Sequence, residues 1–172
     1  PGGIGAVAYN TVIAQRPDEG GTIVAFSGGS LLNLAIGKFG RYTVNDVKWV
    51  GSADADYGAI IVRADSPYKS LKDLMTALKA DPTKVVFGAG GSVGSQDWMK
   101  SALVAKAAGV DYKGMRYVAF EGGGEAMTAL QGGHVPVYSG DASEVAAQIK
   151  GGRVRVLGIL SDVRLPGELH DI

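Results

Sequence analysis

The stretch Val85-Val86-Phe87-Gly88-Ala89-Gly90-Gly91-Ser92-Val93-Gly94-Ser95-Gln96-Asp97-Trp98 decides how this chain is read. Val85, Val86 and Phe87 are apolar and β-branched or aromatic, which predicts a short buried strand. Gly88, Gly90, Gly91 and Gly94 then let the backbone turn sharply and let another group come close to it. Ser95, Gln96 and Asp97 bring the oxygen-bearing side chains favoured at helix N-termini. Trp98, Leu103, Val104 and Ala107 continue an apolar spacing that predicts a helix to about Gly109. A helix start carries unpaired N–H groups and roughly half a positive charge, so this turn is a ready site for a carboxylate or phosphate.

Outward from that stretch the same order of strand, glycine turn and helix recurs. Residues 4–15 read as a helix, 22–26 as a buried strand, and Ser27-Gly28-Gly29-Ser30 as a second glycine turn with Ser30 as N-cap before a helix at 31–36. Residues 47–52 and 57–63 read as strands. Ser70 and Asp73 form an Asp variant of the capping box ahead of the stripe Leu71, Leu74, Met75 and Leu78. Residues 115–120 read as a strand, Glu121 to Glu125 as a third turn, and 126–130 as a helix. Residues 135–138 read as a strand, Ser139-Gly140-Asp141-Ala142 as a fourth turn, 143–149 as a helix, and 154–160 as the last strand. The expectation is an α/β fold with a mostly parallel sheet and helices on both faces. Ligands of such sheets bind at the carboxyl ends of the strands, where the glycine turns gather.

Composition narrows the function. The 172 residues carry 17 basic and 17 acidic side chains, so no basic excess exists to neutralise a nucleic acid. With no cysteine and two distant histidines, His134 and His170, neither a thiolate nor a histidine-rich metal site is expected. No apolar run approaches the roughly twenty residues of a membrane span, so no membrane insertion is expected. The chain opens at Pro1-Gly2-Gly3 without an initiator Met, and an upstream segment is expected.

The motifs divide. Gly88-Ala89-Gly90-Gly91-Ser92-Val93 misses a dinucleotide fingerprint at Val93, and no Gly-Lys-Ser/Thr supplies a phosphate loop; a nucleotide-binding regulatory domain is the weakest reading. Gly90-Gly91-Ser92-Val93-Gly94 matches a nucleophile elbow, and Asp141 and His170 follow in hydrolase order, so a serine hydrolase with Ser92 as nucleophile is the enzymatic alternative. The turn at 27–30 reads equally as a plain turn or as one whose hydroxyls and N–H groups hold a ligand. Asp141 reads as a helix cap, Glu121 as a solvated charge, Trp49 and Trp98 as core, and Lys100 and Lys106 as a solvated helix face.

Several stretches together resemble one family. Lys84 to Ser92, Ser95-Gln96 and Ala107-Ala108-Gly109-Val110-Asp111 are similar to the middle of the periplasmic solute-binding receptors of tripartite tricarboxylate transporters, the TctC/Bug family. So are Ser66 to Leu74, Val118 to Val135, Ile149 to Leu157 and Pro1 to Ala6. The resemblance implies a type II periplasmic-binding-protein fold of two hinged domains, with residues 1–54 part of the first, 55–160 the second, and 161–172 returning toward the first. The crossing falls at 53–57. It implies that the first domain is incomplete here, its first strand and ligand loop lying before Pro1 and the last helices after Ile172. It implies a periplasmic monomer with no cofactor and no catalysis, which hands a small carboxylate, citrate first, to a membrane permease. The positions matching the family's ligand loops are Ser27, Gly28 and Ser30, then Gly91, Ser92, Ser95 and Gln96, then Gly140 and Asp141. Glu121 departs from the Lys or polar residue usual in the family.

Overall fold

The computed structural model describes residues 3–172; Pro1 and Gly2, expected to help open the first helix, lie outside the described residues. A single turn at Gly3–Gly5 leads into α1 (Ala6–Gln15), and α2 follows at Gly28–Ala35. The sheet then alternates with helices: β1 (Gly58–Arg63), α3 (Leu71–Ala80), β2 (Val86–Gly90), α4 (Gln96–Ala107), β3 (Arg116–Phe120), α5 (Gly123–Gln131), β4 (Val137–Asp141), α6 (Ala142–Lys150) and β5 (Val154–Leu160).

The five strands lie in the order β3-β2-β4-β1-β5. β2 is parallel to β3 and β4, whereas β1 is antiparallel to both β4 and β5. The sheet is therefore mixed: four strands run parallel, as expected, and β1 alone runs against them. Its apolar run is buried on both faces, and such a run reads alike in either direction. The reversal puts the start of β1 at the same sheet edge as the ends of β2 and β4, with Gly58 opposite Asp141.

Strand alternation splits the core in two. Ile60, Val62, Phe87 and Val137 face Leu74 and Leu78 of α3 and Val104 and Ala105 of α4. Ala59, Ile61 and Tyr138 face Ala126, Met127 and Leu130 of α5 and Val145 of α6. The α3 capping box is formed as expected: Ser70 accepts from the Asp73 amide at 3.2 Å, and the Asp73 carboxylate accepts from the Ser70 amide at 2.9 Å. α4 buries Lys100, Ser101, Val104 and Ala105, while Leu103, expected on its apolar face, is exposed.

A third, aromatic cluster of Tyr9, Leu34 and Phe39, with Phe26 against it, holds α1 and α2 together. The strands expected at 22–26 and 47–52 are not formed. Both runs have strand-like composition but meet no partner strand among the described residues, and Ile23 and Val50 stay more than four-fifths exposed. Trp49, expected in the core, is half-exposed, though it packs on Phe26 and donates to the Val44 carbonyl.

Leu74→Ala is expected to destabilise the fold by about 2–5 kcal/mol, and Leu103→Ala by no more than about 0.5 kcal/mol. Denaturant midpoints of the two variants compare a fully buried leucine with an exposed one.

Candidate functional site

The starts of α2 and α4 meet at the sheet edge where β2 and β4 end. A Cβ built on Gly29 would lie 2.6 Å from Cβ of Gln96, so only glycine lets the two helices approach this closely. Gly29 donates its amide to Gln96 Oε1 at 3.1 Å, and Asn33 Nδ2 donates to the carbonyls of Gly29 and Gly94 at 2.8 and 2.9 Å. The glycine turn itself is pinned from three sides. Ser95 Oγ caps α4 by accepting from the Trp98 amide and donates to the Gly90 carbonyl; Tyr117 Oη donates to the Gly91 carbonyl. Gly91 has φ of 78°, a left-handed conformation that favours glycine.

Ser27, not Ser30, caps α2: its side chain accepts from the Ser30 amide. Ser30 Oγ instead donates to the Ile4 carbonyl at 2.8 Å. Ile4 holds φ of 52° and ψ of 33°, an outlier for a β-branched residue and of a kind that collects at binding sites.

Between these elements lies a cleft of about 210 Å³. Of the sequence-derived site residues, Ser27, Ser30, Gly91, Ser95, Gln96 and Asp141 line it, joined by Ile4, Gly29, Asn33, Gly90 and Asp97. Gly28, Ser92 and Gly140 do not. Gly28 opens α2, Ser92 is exposed on the turn, and Gly140 sits inside β4 opposite Ala59. No fourth glycine turn exists, because β4 runs directly into α6. The first amides of α6 are already used: Ala142 donates to the Tyr57 carbonyl at 2.8 Å and Ser143 to Asp56 at 3.3 Å. The amides of Gln96 and Asp97, in the first turn of α4, have no intrahelical acceptor.

At the cleft two acids meet a buried lysine. Lys100, expected on a solvated face, is only 6% exposed, and its Nζ donates to Asp97 Oδ1 at 2.6 Å and to Asp141 Oδ1 at 2.5 Å. Burial by itself would lower the Lys100 pKa, but the hydrogen bonds to Asp141 and Asp97 and their charges raise it above the usual lysine value. Burial pushes the Asp97 carboxyl up despite the Lys100 contact. Desolvation thus outweighs attraction at Asp97. Tyr138 donates its hydroxyl to Glu144, and burial followed by that contact raises the phenol strongly. The sequence hid Lys100 because a lone lysine in an amphipathic helix reads as solvent-facing. Two acids at separate elements, Asp97 and Asp141, were the signal that a cation was needed between them.

The hydrolase constellation is not assembled. Asp141 is engaged by Lys100, and His170 Nδ1 pairs with the adjacent Asp171 at 3.0 Å. Among the described residues no helix is long and apolar enough to cross a membrane.

The profile of the tripartite tricarboxylate transporter family receptor matches residues 1–168. The chain belongs to that receptor family. It is 25% identical over 168 residues to the "UPF0065 protein in gbd 5'region" of Cupriavidus necator, covering 89% of this chain and 50% of that one. Among solved structures, a TctC solute binding protein from Polaromonas superposes with a TM-score of 0.70 at 26% identity, covering 100% of this chain and 57% of that one. MatC from Rhodopseudomonas palustris with bound malate superposes with a TM-score of 0.76 at 20% identity, covering 95% and 54%. The receptor chain described here thus spans about half the length of the relatives it matches. Its mixed sheet with helices on both faces is the type II periplasmic-binding-protein fold of these neighbours.

Lys100→Met leaves the part-buried carboxylates of Asp97 and Asp141 without a cation and is expected to cost about 3 kcal/mol in equilibrium unfolding. Asp97→Asn keeps an acceptor for Lys100 and is expected to fold. Because the Asp97 pKa is raised in the folded state, its contribution is fully present below the ordinary value of 3.8 and is lost as pH rises through the folded value. Asp97→Asn is therefore expected to gain stability relative to the wild type as pH rises above 3.8.

Proposed function

We propose that this receptor captures a small carboxylate in the periplasm for delivery to the membrane permease of a tripartite transporter, and that it catalyses nothing. The observation that carries the reading is the convergence of the α2 and α4 starts on one cleft. A carboxylate there meets the first-turn amides of α4 and the Gln96 carboxamide, whose oxygen already accepts from Gly29. The serine hydroxyls contribute less than their number suggests. In this structure Ser27 donates to Ser30, Ser30 to Ile4, and Ser95 to Gly90. Each helix start contributes about 0.3–1 kcal/mol to an anion and each charge-assisted hydrogen bond about 1.5–3 kcal/mol. A few such contacts reach micromolar affinity, about −8 kcal/mol.

We read residues 1–54 as part of one lobe, 55–160 as the other and 161–172 as a return. The aromatic cluster around Tyr9, separate from the two sheet cores, supports that division. The malate carried by MatC supports a di- or tricarboxylate, with citrate and malate the first ligands to try. Closure of the lobes over the anion is the state the permease reads. We read the receptor as a monomer that needs no cofactor.

Calorimetry of the protein at its full native length against citrate, malate, tartrate and glutarate tests this. Binding of at least one near micromolar Kd, without turnover, is expected. Heat from none of them contradicts the proposal.

A further inference from the structure

Two helix-to-strand turns share one form. Gln131-Gly132-Gly133-His134-Val135 leads α5 toward β4, and Lys150-Gly151-Gly152-Arg153-Val154 leads α6 into β5. In each the second glycine holds a left-handed backbone, with φ of 77° at Gly133 and 65° at Gly152. β4 and β5 flank β1, so both turns arrive beside Arg63, where β1 ends, at the sheet end opposite the cleft. Arg63 stands across from Val154, and the Ala64 amide donates to the Arg153 carbonyl at 3.0 Å. Arg63 and Arg153 thereby line one notch of about 360 Å³, together with Ala64, Asp65 and Gln131.

The Arg63 guanidinium is fixed by the protein itself. Its Nε and Nη2 donate to Asp65 at 2.9 and 2.5 Å, and its Nη1 rests on the bare backbone of Gly133, where a Cβ would stand 2.8 Å away. Neither that Nη1 nor the Arg153 guanidinium has an acceptor among the described residues. Asp65 is the one acid lining the notch. Lys69 and Arg155, from the same sheet end, turn onto the carbonyls of Ser66 and Tyr68 instead of onto carboxylates, and the Asp73 carboxylate is held by the Lys69 and Ser70 amides. The local balance is positive. A planar carboxylate is satisfied by one guanidinium edge, as Asp65 is by Arg63. Two guanidinium groups brought by different elements offer donors from two directions, which fits the several oxygens of a tetrahedral oxyanion. We infer that the notch is a second ligand site, separate from the cleft, and that it holds a phosphate group between Arg63 Nη1 and Arg153, free or carried on a lipid headgroup.

Two probes separate the sources. Calorimetry of the full-length protein with inorganic phosphate reads the free one. Flotation with vesicles of phosphatidylcholine, with and without phosphatidylglycerol, reads the lipid. Binding of phosphate, or binding that phosphatidylglycerol adds to the vesicles, is expected. Arg153 is exposed and makes no side-chain hydrogen bond, so Arg153→Gln is expected to keep the wild-type Tm and to weaken that binding about tenfold. Arg63→Gln gives the same readout from the other side of the notch. Arg116→Gln removes an equal charge at the start of β3, the far edge of the sheet, and is expected to change binding less than about twofold. No binding to either probe overturns the site, as does binding that Arg153→Gln and Arg63→Gln leave intact or that Arg116→Gln weakens equally. The carboxylate reading of the cleft stands or falls separately, on its own titration.

Discussion

Everything at the cleft depends on how closely two helix starts approach. Gly29 of α2 stands against Gln96 of α4 with no room for a methyl group between them, and the side chains on either side then hold what the glycine allows. Gln96 accepts from α2, and Asn33 donates back to the turn that precedes α4. The contact joins elements 67 residues apart in the chain. It turns two ordinary helix starts, each a weak anion site, into one site with two positive ends. An extra side chain at position 29 would splay the helices and separate those ends.

The buried lysine is the counterpart of that contact. Lys100 links α4 to the end of β4 through Asp97 and Asp141, and Ser139 ties the same helix turn to β4 by donating to the Asp97 carbonyl. These bonds fix the α4 start against the sheet while leaving acidic oxygens at the cleft wall. Electrostatics and packing therefore act on the same few residues.

The sequence revealed what depends on local chemistry. Ser70 with Asp73 and Ser95 at the start of α4 are caps whose residue types announce themselves, and the apolar runs at 58–63, 86–90 and 154–160 mark strands. It concealed what depends on distant partners. The direction of β1 is set by its neighbours, since a doubly buried strand carries no directional pattern. Residues 22–26 look like a strand but meet no sheet edge among the described residues. In the site, Ser27, Ser30, Gly91, Ser95 and Gln96 were legible as turn residues that bear donors and acceptors. Asn33 and Asp97 were not, because each reads as an unremarkable polar residue until its burial is known. Gly140 was misplaced because a glycine before a helix suggests a turn, and here it continues a strand.

The central claim is that backbone amides at the α4 start, held against the α2 start, receive the ligand's carboxylate. Amide-resolved NMR during titration of the full-length protein with a bound carboxylate tests it most directly. The amides of Gln96 and Asp97 are expected to shift most, together with the Gln96 side-chain NH2. Shifts confined to another surface, such as the notch beside Arg63 and Arg153, with those three signals unmoved, would contradict the account.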